Sequence, residues 1–223
     1  MSQNLIGDWS KTVSKLHGYL FNFTFKALQS QLPTLANMAR WGKSLTAQCP
    51  LCGQPQTNKH VLSNCSNTDA LARYSNRHDK ILDLLVNWFK TKINTEYDIF
   101  VDLPNSTFRQ CSDLFIGLRP DIVFVGKTKA YVLELTVCHE TNLVASRNYK
   151  LNKYKDLKDA RSELIRNHEL CVCTCELSVL GFLNIDSKVL NVFNIVNCDF
   201  NLREKLISTV IAESFNIYIR RNN

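Results

Sequence analysis

The sequence predicts an α/β fold, a small mixed β-sheet flanked by helices, with a helical and Cys/His-bearing appendage at its N-terminal end. Three observations predict it. Two runs, Ile122–Val125 and Tyr131–Val137, are apolar on both faces apart from Glu134 and Thr136, which is the pattern of strands covered on both sides. Helical periodicities precede and follow them, over residues 69–93 and 142–166, so strands and helices alternate. A Cys-x2-Cys-x7-His-x4-Cys run, Cys49 to Cys65, follows neither period.

The 223 residues fit one large domain, or one domain with a small appendage. With 45% hydrophobic and 10% aromatic residues the chain can bury a true core. The net charge of +7 fits a polyanionic partner, although charge alone names none. The start, MSQNLIGDWSKTVSKLHGYL, lacks a basic segment leading into an apolar one, so no signal peptide is expected. No run of 18 apolar residues exists, so no membrane span or membrane partner is expected. Nine cysteines without a secretory signal imply an intracellular, reducing compartment, where thiols serve as metal ligands or core residues.

Residues 8–30 read as one amphipathic helix, with Leu16, Tyr19, Leu20, Phe23 and Ala27 at helical spacing. Pro33 breaks it, and Thr34 caps a short helix ending near Gly42. Arg40, Trp41 and Lys43 fall at that end, either as a solvated basic edge or as phosphate contacts. In CPLCGQPQTNKHVLSNC, Gly53 supplies a reversal between Cys49, Cys52 and the closing pair His60 and Cys65. Four soft ligands in so short and polar a stretch predict a tetrahedral zinc site. Such a site is held up by its metal, so zinc loss is expected to unfold it locally while a Cys52→Ser chain keeps its remaining core.

In the helix over 69–93, His78 lies on the apolar stripe with Arg77 beside it, as a core residue or as a substrate contact. Tyr97–Leu103 reads as a strand ended by Pro104-Asn105, and residues 105–118 as a loop. Strands over 120–125 and 130–137 follow. The helix over 142–166 puts Lys150 and Lys153 on the face of Tyr154 and Leu157, toward the sheet. Residues 169–183 read as a strand whose Cys171, Cys173 and Cys175 point to one face, as core packing. Residues 202–220 close the chain as an amphipathic helix.

The chemistry concentrates in residues 119–154. A carboxylate inside a buried strand is costly unless paired or bound to a cation. Asp121, 13 residues before Glu134, fits a hairpin that sets the two acids side by side, with two lysines following. Two carboxylates, a divalent ion and a lysine are what phosphodiester hydrolysis requires: an activated water and neutralised phosphoryl charge.

Several pieces in order give the chain a resemblance. They are LPTLANMARWGKS, the Cys49/Cys52/His60/Cys65 knuckle, RYSNRHDKIL at 73–82, Arg119-Pro120-Asp121, Glu134, and Lys150-x-x-Lys153-Tyr154. The chain resembles the C-terminal zinc-knuckle and restriction-like endonuclease region of non-long-terminal-repeat retrotransposon proteins, within the PD-(D/E)xK superfamily. The resemblance implies a restriction-endonuclease-like αβββαβ core over residues 69–223, after a helical and zinc-knuckle segment over 1–68. It implies nicking of target DNA by a Mg²⁺- or Mn²⁺-dependent nuclease, the freed 3′-hydroxyl then priming reverse transcription. Asp121 and Glu134 would hold the ion, Lys150 or Lys153 would be the catalytic lysine, and Tyr154 would support it. Arg77, His78 and Arg119 would contact DNA or support the site. Element RNA is a possible further partner, a reverse transcriptase domain is expected elsewhere or lost, and the location implied is the nucleus. Thr136 stands where the superfamily's usual lysine follows the second acid, so the lysine is displaced to the next helix. The rival reading is a catalytically silent zinc-knuckle module that binds nucleic acid.

Overall fold

The two buried runs form the centre of a five-stranded mixed sheet in a computed structural model that describes residues 3–93, 96–104, 106–185 and 200–223. The strands are β1 (Asp98–Val101), β2 (Ile122–Val125), β3 (Lys129–Cys138), β4 (Glu169–Ser178) and β5 (Leu183–Ile185), and they lie in chain order across the sheet. β1, β2 and β3 are antiparallel neighbours, β3 and β4 are parallel, and β5 returns antiparallel to β4. A parallel pair needs a crossover, and the helix Leu143–Lys153 supplies it.

The helices are α1 (Gln3–Ser14), α2 (Gly18–Leu28), α3 (Leu35–Arg40), α4 (Thr68–Lys92), α5 (Leu143–Lys153) and α6 (Phe200–Ile219). One face of the sheet, with Phe124, Leu133, Leu135, Cys173 and Cys175, packs against α4 and α6 and is joined by Trp9, Val13 and Phe23 of α1 and α2. The opposite face, with Val123, Val132, Phe100 and Ala130, packs against Tyr154 and Leu157 at the end of α5. The alternation follows from the period of two in a strand.

Three expected elements differ. The single helix over 8–30 is two, because the chain turns at Lys15–His17. That break lets Trp9 reach across the molecule, where its indole nitrogen donates to the Leu180 carbonyl at 2.7 Å. The helix over 142–166 stops at Lys153. Residues 160–162 instead pair with the loop before β2, through Ile116 N to Ala160 O at 2.7 Å and Ser162 N to Leu114 O at 2.8 Å. The strand over 169–183 reverses at Gly181, whose φ is +91° and whose absent Cβ would meet Ile207 Cγ2 at 2.9 Å. Asn105 of the expected turn lies outside the described residues. No helix among the described residues is long and apolar enough to cross a membrane.

Candidate functional site

Asp121 stands just before β2 and Glu134 in the middle of β3. The antiparallel register, Ile122 opposite Leu133, sets the two side by side at the end of the short strands. Glu134 is fully buried and Asp121 nearly so. Each carboxylate is oriented by backbone: Leu135 N donates to Asp121 Oδ2 at 2.7 Å, and Asp121 N donates to Glu134 Oε1 at 3.1 Å. From α5, Lys150 Nζ lies 2.5 Å from Glu134 Oε2 and 3.6 Å from Asp121 Oδ2. From α4, His78 Nε2 lies 3.6 Å from Asp121 Oδ1, while its Nδ1 is 3.1 Å from Asp79 Oδ1. Tyr154 donates to the Arg119 carbonyl at 3.3 Å and accepts from Lys153 Nζ at 3.1 Å.

The charges hold one another. Burial and the adjacent Asp121 carboxylate push Glu134 up to about 7, against the pull of Lys150. Burial pushes Asp121 the same way, but His78 and Lys150 outweigh it and keep Asp121 below its ordinary value. Burial opposes charge on His78, and Asp121 and Asp79 overcome it, lifting the imidazole to about 9. Lys150 is raised by both acids despite burial. At neutral pH the cluster therefore carries an ionised Asp121 between two cations. Carboxylate oxygens are hard ligands, the donor set that Mg²⁺ or Mn²⁺ prefers.

The second cluster lies between α3 and α4. Gly53, at φ +75°, turns the chain back after Cys52, and Gly53 N donates to Cys49 O at 2.8 Å. His60 opens a π-helical turn, His60–Asn64, and Cys65 follows it. The Sγ atoms of Cys49 and Cys65 are 4.0 Å apart, those of Cys52 and Cys65 are 3.6 Å apart, and Cys52 Sγ is 3.3 Å from His60 Nε2. All four donor atoms lie within 4.8 Å of one another. A tetrahedron with Zn–S near 2.3 Å and Zn–N near 2.0–2.1 Å has edges of roughly 3.5–3.8 Å. The cluster therefore fits zinc. Burial holds His60 below its ordinary value, in the neutral form a metal needs, and pushes the Cys65 thiol up to about 11, so a metal would release its proton on binding.

Residues 8–71 match a family model described as zinc-binding in reverse transcriptase. The matched segment runs from α1 into the first turn of α4 and contains all four ligands. Sequence family and geometry agree that this segment binds zinc, and the family match relates the segment to zinc-binding regions of reverse transcriptase proteins. The match covers less than a third of the chain and stops short of Asp121, Glu134 and Lys150. Among curated proteins, none matches the chain.

The zinc segment is tied to the rest of the fold by two contacts that sequence reading did not single out. Tyr74 of α4 donates to the Val61 carbonyl at 2.9 Å and accepts from Cys65 N at 3.2 Å. Lys59 Nζ, next to His60, donates to Asn142 Oδ1 at 2.9 Å, at the start of the helix that carries Lys150. The Lys59 contact has no spacing signal, since it joins segments 83 residues apart. Asp79 is also a new member of the acidic cluster, and its place directly after His78 was its only signal.

The other expected contacts are spread out. Arg119 is exposed and pairs with Asp102 at 2.5 Å. Arg40 and Lys43 are exposed at the end of α3, Arg40 lying 5.9 Å from the Trp41 ring. Lys153 is exposed and meets Tyr154, whereas Lys150 meets the acids. Arg77 has no open face. It is 1% exposed, donates to Ser214 Oγ of α6 at 3.1 Å, and lies 5.5 Å from the Tyr74 ring. Of the two expected roles, contact or support, this position leaves support. Arg77→Ala is expected to destabilise the fold by about 3 kcal/mol, the scale of a lost buried charged network, seen as a lowered midpoint in thermal denaturation.

Proposed function

We propose that the chain is a metal-dependent DNA endonuclease of restriction-like fold, belonging to a retrotransposon-derived protein and working in the nucleus. One observation carries the reading: Lys150 stands 2.5 Å from Glu134 and 3.6 Å from Asp121, so that two buried acids and a lysine converge from three separate elements. Buried, mutually perturbed ionisable groups concentrate at sites of chemistry.

Asp121 and Glu134 would hold Mg²⁺ or Mn²⁺. When bound, the ion supplies Lewis acidity to the phosphoryl oxygens and a more acidic water. Lys150 neutralises charge on the phosphoryl group as the pentacoordinate state forms, and orients the attacking water. His78, held charged by Asp121 and Asp79, adds a second cation beside the same carboxylate. Tyr154 fixes the Arg119 backbone, and with it the turn into Asp121. Thr136, where a lysine would be usual, is adjacent in β3, and the cation arrives from α5 instead.

The test is nicking of supercoiled plasmid with Mg²⁺ or Mn²⁺ by the wild type, Asp121→Ala and Glu134→Ala. Equal cleavage by all three would sink the site. The alternative, a silent zinc-bearing nucleic-acid-binding module, is favoured by the family match lying wholly within the zinc segment. Binding to DNA or RNA without any cleavage selects it.

The lysines separate in a pH profile. Lys150 opposes the rise in Glu134, so Lys150→Met lets Glu134 keep its proton to higher pH. The rising limb of the nicking rate should therefore move up in pH, in addition to a loss of about 10²-fold. Lys153→Met should leave the limb in place. A limb that moves in Lys153→Met instead would reassign the lysine.

A further inference from the structure

The helix that carries Lys150 is held lightly. α5 buries none of its residues fully, and no side chain caps its first turn. At its far end Lys150 meets Glu134, and the buried Tyr154 follows. Nearer the middle, Ser146 Oγ donates to Cys138 Sγ at 3.5 Å, a weak bond because sulfur is a poor acceptor. The start of α5 is the 3-10 turn Glu140–Asn142, and that turn is tied at two points. Glu140 Oε1 accepts from Leu180 N at 3.1 Å, in the turn between β4 and β5. Asn142 Oδ1 accepts from Lys59 Nζ at 2.9 Å, in the zinc segment.

The second tie runs against local preference. An asparagine just before a helix ordinarily turns its side-chain oxygen onto the helix's own first N–H groups. Asn142 stands there and gives its oxygen to Lys59 instead. Lys59 is half-buried, and its charge also reaches His139, where it adds to burial in holding the imidazole below its ordinary value against Glu140. The zinc segment is a firm point to tie to. His60, the next residue, is a buried member of the Cys/His cluster, and its N–H donates to Thr57 Oγ1 at 3.1 Å. Tyr74 of α4 holds the Val61 carbonyl beyond it.

Lys150 lies about two helical turns after Asn142 and about one turn before Tyr154. With Tyr154 as the fixed end of this 11-residue helix, a swing of about 3 Å at its start displaces Lys150 by about 1 Å. A misplacement of about 1 Å at a reacting centre costs up to about 10²-fold in rate. We propose that Lys59 is a positioning residue for the acidic cluster: through Asn142 it fixes the start of α5 to the zinc segment, and so sets Lys150 against Glu134 and Asp121. The proposal rests on the nuclease reading for what Lys150 does there. The tie between the two segments is independent of cutting.

The experiment uses the full, zinc-loaded chain as wild type, Lys59→Met, Asn142→Ala, the double variant and Asn142→Asp. Lys59 is outside the ligand set, so zinc content should stay at the wild-type level in each. Single-turnover nicking of plasmid in Mg²⁺, at saturating protein, should fall about tenfold in Lys59→Met and in Asn142→Ala, and no further in the double variant. Plasmid affinity should not change. Asn142→Asp keeps an acceptor for Lys59 and should keep the wild-type rate. Amide hydrogen exchange, read without Mg²⁺ or Mn²⁺, should quicken over α5 in the first two variants while α4 keeps its protection. Unchanged exchange over α5, or losses that add in the double variant, overturns the proposal. A weakened affinity at an unchanged rate also overturns it, and would make Lys59 a DNA contact. A wild type that does not nick removes the nuclease reading alone, and exchange then still decides whether Lys59 orders α5.

Discussion

Asp121→Asn should lower metal-dependent nicking by about 10²–10³-fold without unfolding the chain. The amide oxygen can still accept from Leu135 N, so the backbone arrangement survives. What is lost is the negative charge that would hold the ion and that now sits beside His78 and Lys150. Lys150 then keeps only Glu134 and His78 only Asp79, and the cluster changes its response to pH. In the wild type, Glu134 and His78 both keep a proton to higher pH in the folded state, to about 7 and about 9, than their ordinary values of 4.5 and 6.5. Each therefore contributes stability that is full below its ordinary value and lost as pH rises through the folded one. Wild-type stability should fall between pH 4.5 and 9, with His78 accounting for a change on the order of 3 kcal/mol. In Asp121→Asn the upper half of that decline, pH 6.5 to 9, should flatten, because His78 has lost its main partner. Single-turnover nicking and thermal midpoints across this range check both parts. Undiminished nicking by the variant would remove Asp121 from the chemistry.

Stripping zinc should lower the melting midpoint of the whole chain by at least about 10 °C in a single transition. The expectation from sequence was local unfolding, with the remaining core intact after Cys52→Ser. Packing argues otherwise. Val61 and Leu62, in the turn between two ligands, are buried in the same cluster as Ile81, Leu85, Leu206 and Val210. Releasing them exposes two aliphatic side chains worth roughly 1.5–3 kcal/mol each, besides the free energy of the metal itself. Lys59 would also release Asn142 and loosen the start of α5. Chelation followed by calorimetry, with Cys49→Ser as the genetic counterpart, reads this directly. A small early transition with an unchanged main midpoint would restore the picture of a separable knuckle.

The acidic cluster shows how far spacing reaches. Asp121 and Glu134 were legible because a carboxylate within an apolar strand is anomalous, and a hairpin of that length brings its ends together. The two lysines were not separable, because both lie in the last turn of α5 and a helical period cannot say which reaches a strand. The path of the chain after Lys153 was misread for a related reason. Residues 154–166 continue a helical pattern, yet the backbone pairing with residues 114–116 is long-range and outweighs a local preference. Arg77 is the sharpest case, since an arginine next to the site looks like a phosphate contact until its burial against Ser214 is seen.

By itself, then, the sequence determined the zinc ligand set, the pair of acids and the central strands. Each depends on residue type at short spacing, and metal coordination and strand alternation are local rules. Only the tertiary structure decided that Lys150 closes the acidic pair, that His78 and Asp79 join it from α4, and that the zinc segment shares the main core. Those are contacts between elements far apart in the chain, and they are fixed by how helices pack on two faces of one sheet, which no local pattern encodes.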